Sequence, residues 1–117
     1  MNSVNLTGNL ATDVELREFG DDKRLATFLL AVDRSSRDDT ADFFRIAAWD
    51  QQAKLCAEYL EKGRKIGVEG RLRYHAWEEG EEKRSRVEVV ARRIEFLGPR
   101  AADSNGEVVP FEAAAVA

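Results

Sequence analysis

The segment that decides the fold reads Asp42-Phe43-Phe44-Arg45-Ile46-Ala47-Ala48-Trp49. Side chains alternate between the two faces of a β-strand, so a strand here places Phe43, Arg45 and Trp49 on one face. The opposite face is typical of a core and carries Phe44, Ile46 and Ala48. A cation between two large aromatic rings is uncommon in a core, whereas a surface that stacks unpaired bases needs this combination. Equally compatible with this strand alone is a Trp49 that packs against a neighbouring helix, with Arg45 reaching solvent.

Length and composition indicate a single globular domain. The chain has 117 residues, of which 44% are hydrophobic and 34% charged. No apolar run approaches the roughly 18–20 residues of a membrane span. The first residues lack the basic and apolar regions of a signal peptide, so we expect a cytoplasmic location. The single cysteine, Cys56, excludes an internal disulfide and fits a reducing compartment.

Charge is distributed unevenly along the chain. The net charge is −4 and the isoelectric point is near 5.1, which is acidic for a protein that binds nucleic acid. Residues 1–60 carry a net charge of −4, residues 61–100 a net charge of +3, and residues 101–117 a net charge of −3. Binding to phosphates depends on local contacts and not on total charge. The basic block therefore keeps nucleic-acid binding open.

Apolar alternation predicts five strands, at residues 3–11, 24–33, 43–49, 65–73 and 83–97. The segment Val14-Glu15-Leu16-Arg17 is expected to continue the first strand after a bend. The acidic residues 78–82 are expected to form a hairpin tip between the last two strands.

A helix is predicted over residues 51–61, with Asp50 as its N-cap. Its apolar stripe consists of Leu55, Cys56, Tyr59 and Leu60. Lys62 and Gly63 are a C-terminal signal. Cys56 is therefore expected in the core rather than at a reactive site.

Three strands, a helix and two further strands are the plan of the OB-fold, a small Greek-key barrel that commonly binds oligonucleotides. The expected fold class is all-β with one short helix, a five-stranded OB-fold barrel with the helix between strands 3 and 4. Residues 1–99 form this domain. Residues 100–117 follow Pro99, are small and polar, and are expected to form a short flexible tail.

The fourth and fifth strands carry most of the candidate DNA contacts. Trp77 shares its parity with Arg71, Arg73 and His75, which favours base stacking beside guanidinium groups. The simpler alternative is a hairpin tryptophan that covers the barrel end. The phosphate-contact candidates are Arg45, Arg71, Arg73, Lys83, Arg84 and Arg86, although charged strand residues are often only a solvated face. His75 is the only histidine and cannot form a metal site or a catalytic pair alone.

Several segments resemble the bacterial single-stranded DNA-binding proteins, and the resemblance extends over residues 1–98. They are Val4-Asn5-Leu6-Thr7-Gly8-Asn9-Leu10 with Asp13 and Glu15, the segment of residues 42–49, and Leu55-Cys56-Ala57-Glu58-Tyr59-Leu60-Glu61-Lys62-Gly63 followed by Val68-Glu69-Gly70-Arg71-Leu72. The resemblance implies an OB-fold that assembles, usually as a homotetramer. It also implies wrapping of single-stranded DNA without sequence preference, in replication, recombination or repair.

Carried over position by position, the stacking aromatics of this family fall on Phe43, Trp49 and Trp77. Some members have a further aromatic just after the second strand, where this chain has Arg34-Ser35-Ser36-Arg37. The family's tail usually ends in Pro-Phe, which docks repair and replication enzymes. Here six residues follow the candidate docking pair Pro110 and Phe111. Phe111 therefore lacks the adjacent α-carboxylate, which argues against docking through this tail.

Two alternatives remain open. One is an OB-fold protein that binds RNA or acts as a primosome-type accessory protein. The other is a homo-oligomeric assembly protein whose tryptophans are buried in subunit contacts. The sequence shows no nucleophile–base pair, metal-ligand cluster or phosphate loop, so we predict neither an enzyme nor a cofactor.

Overall fold

The computed structural model describes residues 1–34 and 40–98 of the chain. The elements are β1 Val4–Leu10, β2 Glu15–Phe19, β3 Lys23–Asp33, β4 Ala41–Trp49, α1 Asp50–Tyr59, β5 Lys65–Glu79 and β6 Glu82–Phe96. No helix in these residues is long and apolar enough to cross a membrane. The predicted tail at residues 100–117 lies outside the described part of the chain.

The strands close into a ring, which confirms the OB-fold barrel. The sheet order is β1-β5-β6-β4-β3-β2, and a further pairing of β1 with β3 closes the ring, with Leu10 opposite Leu30. The pairs are antiparallel except β4 with β6, where Ile46 lies beside Val89. Closure pairs strand edges that would be exposed in an open sheet of this size.

The first predicted strand is divided, so the barrel has six strand segments rather than five continuous strands. The predicted continuation after a bend is confirmed, because residues 15–17 lie in β2. At the bend, the Leu29 N–H donates to the Thr12 hydroxyl at 3.1 Å, and the Ala11 N–H donates to the Leu29 carbonyl at 2.8 Å. These bonds fasten the bend to β3 and pair backbone groups where the chain changes direction.

Two glycines allow backbone segments of the barrel wall to approach closely. A Cβ atom on Gly8 would overlap the carbonyl oxygen of Ala31, and one on Gly70 would overlap that of Val90. Gly70 also directly follows a register shift after Glu69. The two positions therefore require glycine for steric reasons.

The core is built from alternate residues of β3 and β4. Ala26, Phe28 and Leu30 of β3 are at most 3% exposed, and Ile46 and Ala48 of β4 are fully buried. Burial of these apolar side chains is the main source of stability. The predicted core face of β4 is therefore confirmed for Ile46 and Ala48.

Phe44 departs from that core face, because it is 36% exposed. It lies towards the start of β4, two residues before Ile46, as Val87 lies two residues before Val89 on the neighbouring β6. Val87 is itself exposed. Phe44 is paired with the buried Leu30 on its β3 side and neighbours the exposed Val87 on its β6 side, so the correct alternation leaves it only partly buried.

The predicted N-cap is wrong. The N-cap residue of α1 is Trp49, no side chain caps the helix, and Asp50 is its first helical residue. Asp50 has a left-handed φ of 52°, and its carboxylate accepts a hydrogen bond from the Arg24 N–H at 3.4 Å. A tertiary contact with β3 thus replaces the expected local cap.

The helix also ends earlier than residues 51–61 predict. It ends at Tyr59, and the backbone at its C-cap, Leu60, is extended. Gly63 has φ of 94°, but its N–H donates to the Leu10 carbonyl at 2.8 Å. The glycine therefore turns the connection between α1 and β5 instead of capping the helix. Cys56 is buried as predicted, and this burial raises its pKa to about 12.

β5 and β6 extend well past the barrel. β5 continues to Glu79, beyond the predicted end at Arg73, and the turn at Gly80 confirms the acidic tip. Of residues 71–88, only Trp77 and Glu88 are partly buried and the rest are exposed. We call residues 71–88 the projecting hairpin.

Candidate nucleic-acid interface

One side of the sheet carries the β4 residues that the sequence predicts for base stacking and phosphate contact. We call this side the outer face. Phe43, Arg45 and Trp49 alternate with the buried residues Ile46 and Ala48. Phe43 is 61% exposed, while Arg45 and Trp49 are half-buried. The predicted alternation of β4 is therefore confirmed.

The centre of the outer face is a row of short side chains. Thr27 of β3, Ala47 of β4 and Val90 of β6 lie side by side, and each is at most 9% exposed. Arg45 and Trp49 flank Ala47 along β4 on the same face. The row therefore forms a low floor between taller side chains.

Trp77 lies on the outer face of the projecting hairpin, where the pairing register places it with Arg71, Arg73 and His75. The rings of His75 and Trp77 stack with centroids 5.5 Å apart and an interplanar angle of 29°. The guanidinium carbon of Arg86 lies 5.0 Å from the centroid of the Trp77 ring. These contacts orient the indole on an otherwise exposed hairpin.

Trp49 lies at the other end of the outer face, near the turn between β2 and β3. Its ring centroid is 6.3 Å from that of Phe19, with an interplanar angle of 32°. Phe19 is 47% exposed. Sequence analysis missed Phe19, although its alternation with Glu15 and Arg17 just before a glycine turn could have placed it on the same face.

The two tryptophans are far apart along this face. β6 runs parallel to β4 with Val89 beside Ile46, and Trp77 is opposite Arg84. Trp77 is therefore level with the start of β4, eight residues from Trp49. At the usual rise of a β-strand this is about 26 Å, enough for several nucleotides.

Three of the predicted phosphate contacts are available on the outer face. Arg71 and Arg73 have no carboxylate partner among residues 1–34 and 40–98. Arg86 contacts the Trp77 ring and likewise has no carboxylate partner in this part of the chain. These guanidinium groups can bind phosphates without first breaking an ion pair.

The other three candidates differ. Arg45 Nε lies 3.4 Å from Glu88 Oε2, and Arg84 lies 3.1 Å from both Glu79 and Glu82. Lys83 is adjacent to Arg84 on β6 and therefore points to the opposite face of the hairpin. The structure thus places five of the six cations on the outer face, two of them already neutralised.

The comparison with protein families covers all the described strands and the helix. Residues 1–97 match the model of the Single-strand binding protein family. Among similar proteins, Single-stranded DNA-binding protein 1 of Chlorobaculum tepidum is 33% identical over 114 residues, which cover 91% of this chain and 69% of that protein.

Two further relatives extend this result. The single-stranded DNA-binding protein of Halalkalibacterium halodurans is 38% identical over 111 residues, covering 91% of this chain and 66% of that protein. The one from Bacillus cereus is 41% identical over 105 residues, covering 86% and 62%. The chain thus spans 62% to 69% of the length of these curated relatives. The matches confirm the resemblance found in the sequence: this chain belongs to the single-strand binding protein family.

Proposed function

We propose that the protein binds single-stranded DNA without sequence preference, by stacking unpaired bases on Phe43, Trp49 and Trp77. One observation carries the proposal. Trp49 and Trp77 lie at the two ends of one continuous outer face. Arg71 and Arg73 are on the same face and form no ion pair within residues 1–34 and 40–98. The relatives named as single-stranded DNA-binding proteins support it.

Stacking explains the expected selectivity for strand type. Each base stacked on an aromatic ring contributes about 1–3 kcal/mol, and every base has a π-face, so sequence matters little. Bases in a duplex are already paired and stacked, so duplex DNA binds weakly. The low floor around Ala47 gives the splayed bases room between Trp49 and Arg45.

Phosphate contacts supply the electrostatic part of binding. Arg71, Arg73 and Arg86 are the first contacts, because they form no ion pair within the described residues. Arg84 joins by exchanging its carboxylate partners for a phosphate, at little cost because these exposed pairs are weak. Arg45 must leave Glu88, whose side chain is partly buried. Lys83 reaches phosphates only where the strand passes round the hairpin edge.

The proposed activity is binding rather than catalysis, in keeping with relatives named for DNA binding. No cofactor or metal is assigned. Roles in DNA replication, recombination and repair belong to the same proposal. The cytoplasmic, nucleoid-associated location stays a prediction from the sequence.

Assembly into a homo-oligomer, a homotetramer by family resemblance, completes the proposal. Phe44, Val87, Tyr74 and Leu72 form an exposed apolar patch on the side of the sheet opposite the outer face. Contiguous exposed patches of this kind mark contacts between proteins. The patch and the outward residues of β1 are the candidate subunit contacts. Sedimentation equilibrium should show Phe44→Glu dissociating into smaller species, and an unchanged mass would remove Phe44 from the interface.

Docking of replication or repair enzymes through Pro110 and Phe111 falls outside the described residues. The partners proposed from the described residues are single-stranded DNA and further copies of the chain.

The test is a titration of intrinsic tryptophan fluorescence with poly-thymidine at low and high salt, with duplex DNA as control. Trp49→Phe and Trp77→Phe variants leave one tryptophan each, so each end of the face reports separately. Quenching of both variants by the single strand, weaker at high salt, is the expected result. Quenching of neither would overturn the proposal.

The same titration distinguishes the alternatives. An RNA-binding OB protein would bind poly-uridine as tightly as poly-thymidine, because it accommodates the 2′-hydroxyl. In an assembly protein, tryptophan fluorescence would stay constant when oligonucleotides are added and would change when the protein is diluted.

A further inference from the structure

We propose that Phe19 and Trp49 together form an additional base-binding subsite beside the turn that joins β2 and β3. The inference rests on the proposed function and adds a contact to it. The ligand is one unpaired base of the bound strand, lying at the end of the outer face farthest from Trp77.

Geometry places the two rings on one accessible surface. Phe19 pairs with Lys23, and Trp49 pairs with Leu25 two residues further along β3, so all four side chains lie on the outer face. The ring centroids are 6.3 Å apart, and 47% of Phe19 remains exposed. A base stacked on the indole therefore lies within contact distance of the phenyl ring.

An aromatic pair of this kind often serves only stability, contributing about 0.5–1.5 kcal/mol. Here β2 has no buried residue along its whole length, from Glu15 to Phe19. The Phe19 ring therefore lies at the surface beside Trp49, and its exposed apolar area is what a stacking partner would cover. A large aromatic side chain that is exposed at the end of a proposed binding face indicates a ligand contact, whereas a buried one is explained by the core.

The charges near the subsite indicate that Phe19 contacts DNA through a base stacked on its ring, and that no neighbouring cation contributes a strong phosphate contact. Lys23 lies opposite Phe19, but Asp21 and Asp22 occupy the adjacent turn. The carboxylates offset the attraction of Lys23 for a phosphate. We therefore expect the Phe19 contribution to change little with salt, unlike that of the arginines.

The first experiment compares affinities of Phe19 variants for poly-thymidine at low and high salt. Phe19→Ala and Phe19→Leu should each weaken binding by about fivefold to twentyfold, at the lower end of the usual stacking range, and by the same factor at both salt concentrations. Phe19→Tyr keeps the ring and should bind as the native protein does. Leu16→Ala is the matched control, because Leu16 is on the same strand but faces the other way and is 38% exposed.

The Phe19→Leu variant distinguishes a direct contact between Phe19 and a base from a role in which Phe19 only supports the Trp49 ring. If Phe19 only buttressed the indole, leucine would supply similar apolar bulk and Phe19→Leu would bind normally. That result would overturn the proposal, as would an Ala variant that binds normally. Urea denaturation of each variant checks that the fold is retained.

The second experiment is photo-crosslinking of the full chain to an oligonucleotide that contains 5-iodo-deoxyuridine, followed by trypsin digestion. The expected tryptic peptides separate the candidates: residues 18–23 contain Phe19 as their only aromatic, residues 46–54 contain Trp49, and residues 74–83 contain Trp77. We expect adducts on the peptide of residues 18–23, lost in Phe19→Leu.

The two proposals fail in different ways. Adducts on the peptides of Trp49 and Trp77 with none on residues 18–23 would overturn the Phe19 subsite and leave DNA binding intact. No adducts and no quenching by any single strand would overturn DNA binding itself.

Discussion

β5 and β6 run through two regions of different physical character, the barrel wall and the projecting hairpin. In the barrel half, Ile66, Val68 and Ile94 are at most 3% exposed. In the hairpin half, the same two strands pair mainly with each other. Leu72 and Tyr74 lie on the same face of β5 as Ile66 and Val68, but both are exposed. One continuous ladder is therefore stabilised by burial at one end and carries the proposed binding groups at the other.

The projecting half is held by contacts between its own side chains. Arg84 bridges Glu79 and Glu82 near the tip, and Arg86 covers part of Trp77. The cross-strand contacts, Arg84 with Glu79 and Arg86 with Trp77, contribute about 0.2–1 kcal/mol each, so the hairpin adds little to global stability. Changes in the barrel should therefore alter stability, and changes in the hairpin should alter binding.

The largest expected effect is in the barrel. Ile66→Ala removes a fully buried side chain and should lower the free energy of unfolding by about 2–5 kcal/mol, because it loses apolar contacts and leaves a cavity. Leu72→Ala is the matched control on the same face of β5, and it should cost less than about 1 kcal/mol because Leu72 is 45% exposed. Urea denaturation measures both; equal losses would contradict the division of β5.

The converse test is in the hairpin. Trp77→Ala should weaken binding of single-stranded DNA by about fivefold to 150-fold, the loss of one stacked base, and change the free energy of unfolding by less than about 0.5 kcal/mol. Trp77→Phe keeps a ring and should retain most of the affinity. Fluorescence anisotropy of a labelled oligonucleotide measures the first effect. A large loss of stability in Trp77→Ala would show that the hairpin supports the barrel.

Cys56, which is buried in the core, makes the stability of the barrel depend on pH. Burial raises the Cys56 pKa from its ordinary 9.0 to about 12, so above pH 9 the thiol ionises in the unfolded chain but not in the folded one. The free energy of unfolding should then fall with rising pH between about 9 and 12, by at most about 1.4 kcal/mol per pH unit from this group. Cys56→Ala lacks the thiol and should show a shallower slope in denaturation series across this range. Parallel slopes would contradict the assignment.

The smallest expected effect lies where the two regions meet. Glu88 pairs with Arg45 at 3.4 Å, so its carboxylate competes with phosphates for this cation. Glu88→Gln should tighten binding of single-stranded DNA by about twofold to fivefold, because Arg45 then binds a phosphate without first leaving a carboxylate. The gain stays small since the pair is long, at 3.4 Å, and the Arg45 side chain is 38% exposed.

Glu18→Gln is the control for Glu88→Gln in the same anisotropy assay. Glu18 is also paired with an arginine, Arg24 at 3.6 Å, but it lies on the side of β2 away from the outer face. It should leave affinity unchanged. Weaker binding by Glu88→Gln would mean that the carboxylate positions Arg45 for DNA.

Local features of the fold could be predicted from the sequence. The order of elements and the division of β4 into two faces followed from apolar patterning, because side-chain direction along a strand is set by local backbone geometry. The same parity put Trp77 on one face with Arg71 and Arg73. Prediction failed where distant partners decide the outcome. The Asp50 carboxylate accepts a hydrogen bond from the Arg24 backbone N–H, and Phe44 is 36% exposed because the neighbouring β6 contributes the exposed Val87 at this level.

The local sequence predicts which side chains share a face of each strand, because this depends only on the period of two along an extended backbone. The tertiary structure sets which strands are neighbours. It brings Phe19 to 6.3 Å from Trp49 across thirty residues of sequence, and Arg45 to Glu88 across forty-three. It also sets the two tryptophans at opposite ends of one face. These relations depend on the register of long-range strand pairs, which is selected by burial of the whole core and not by any local pattern.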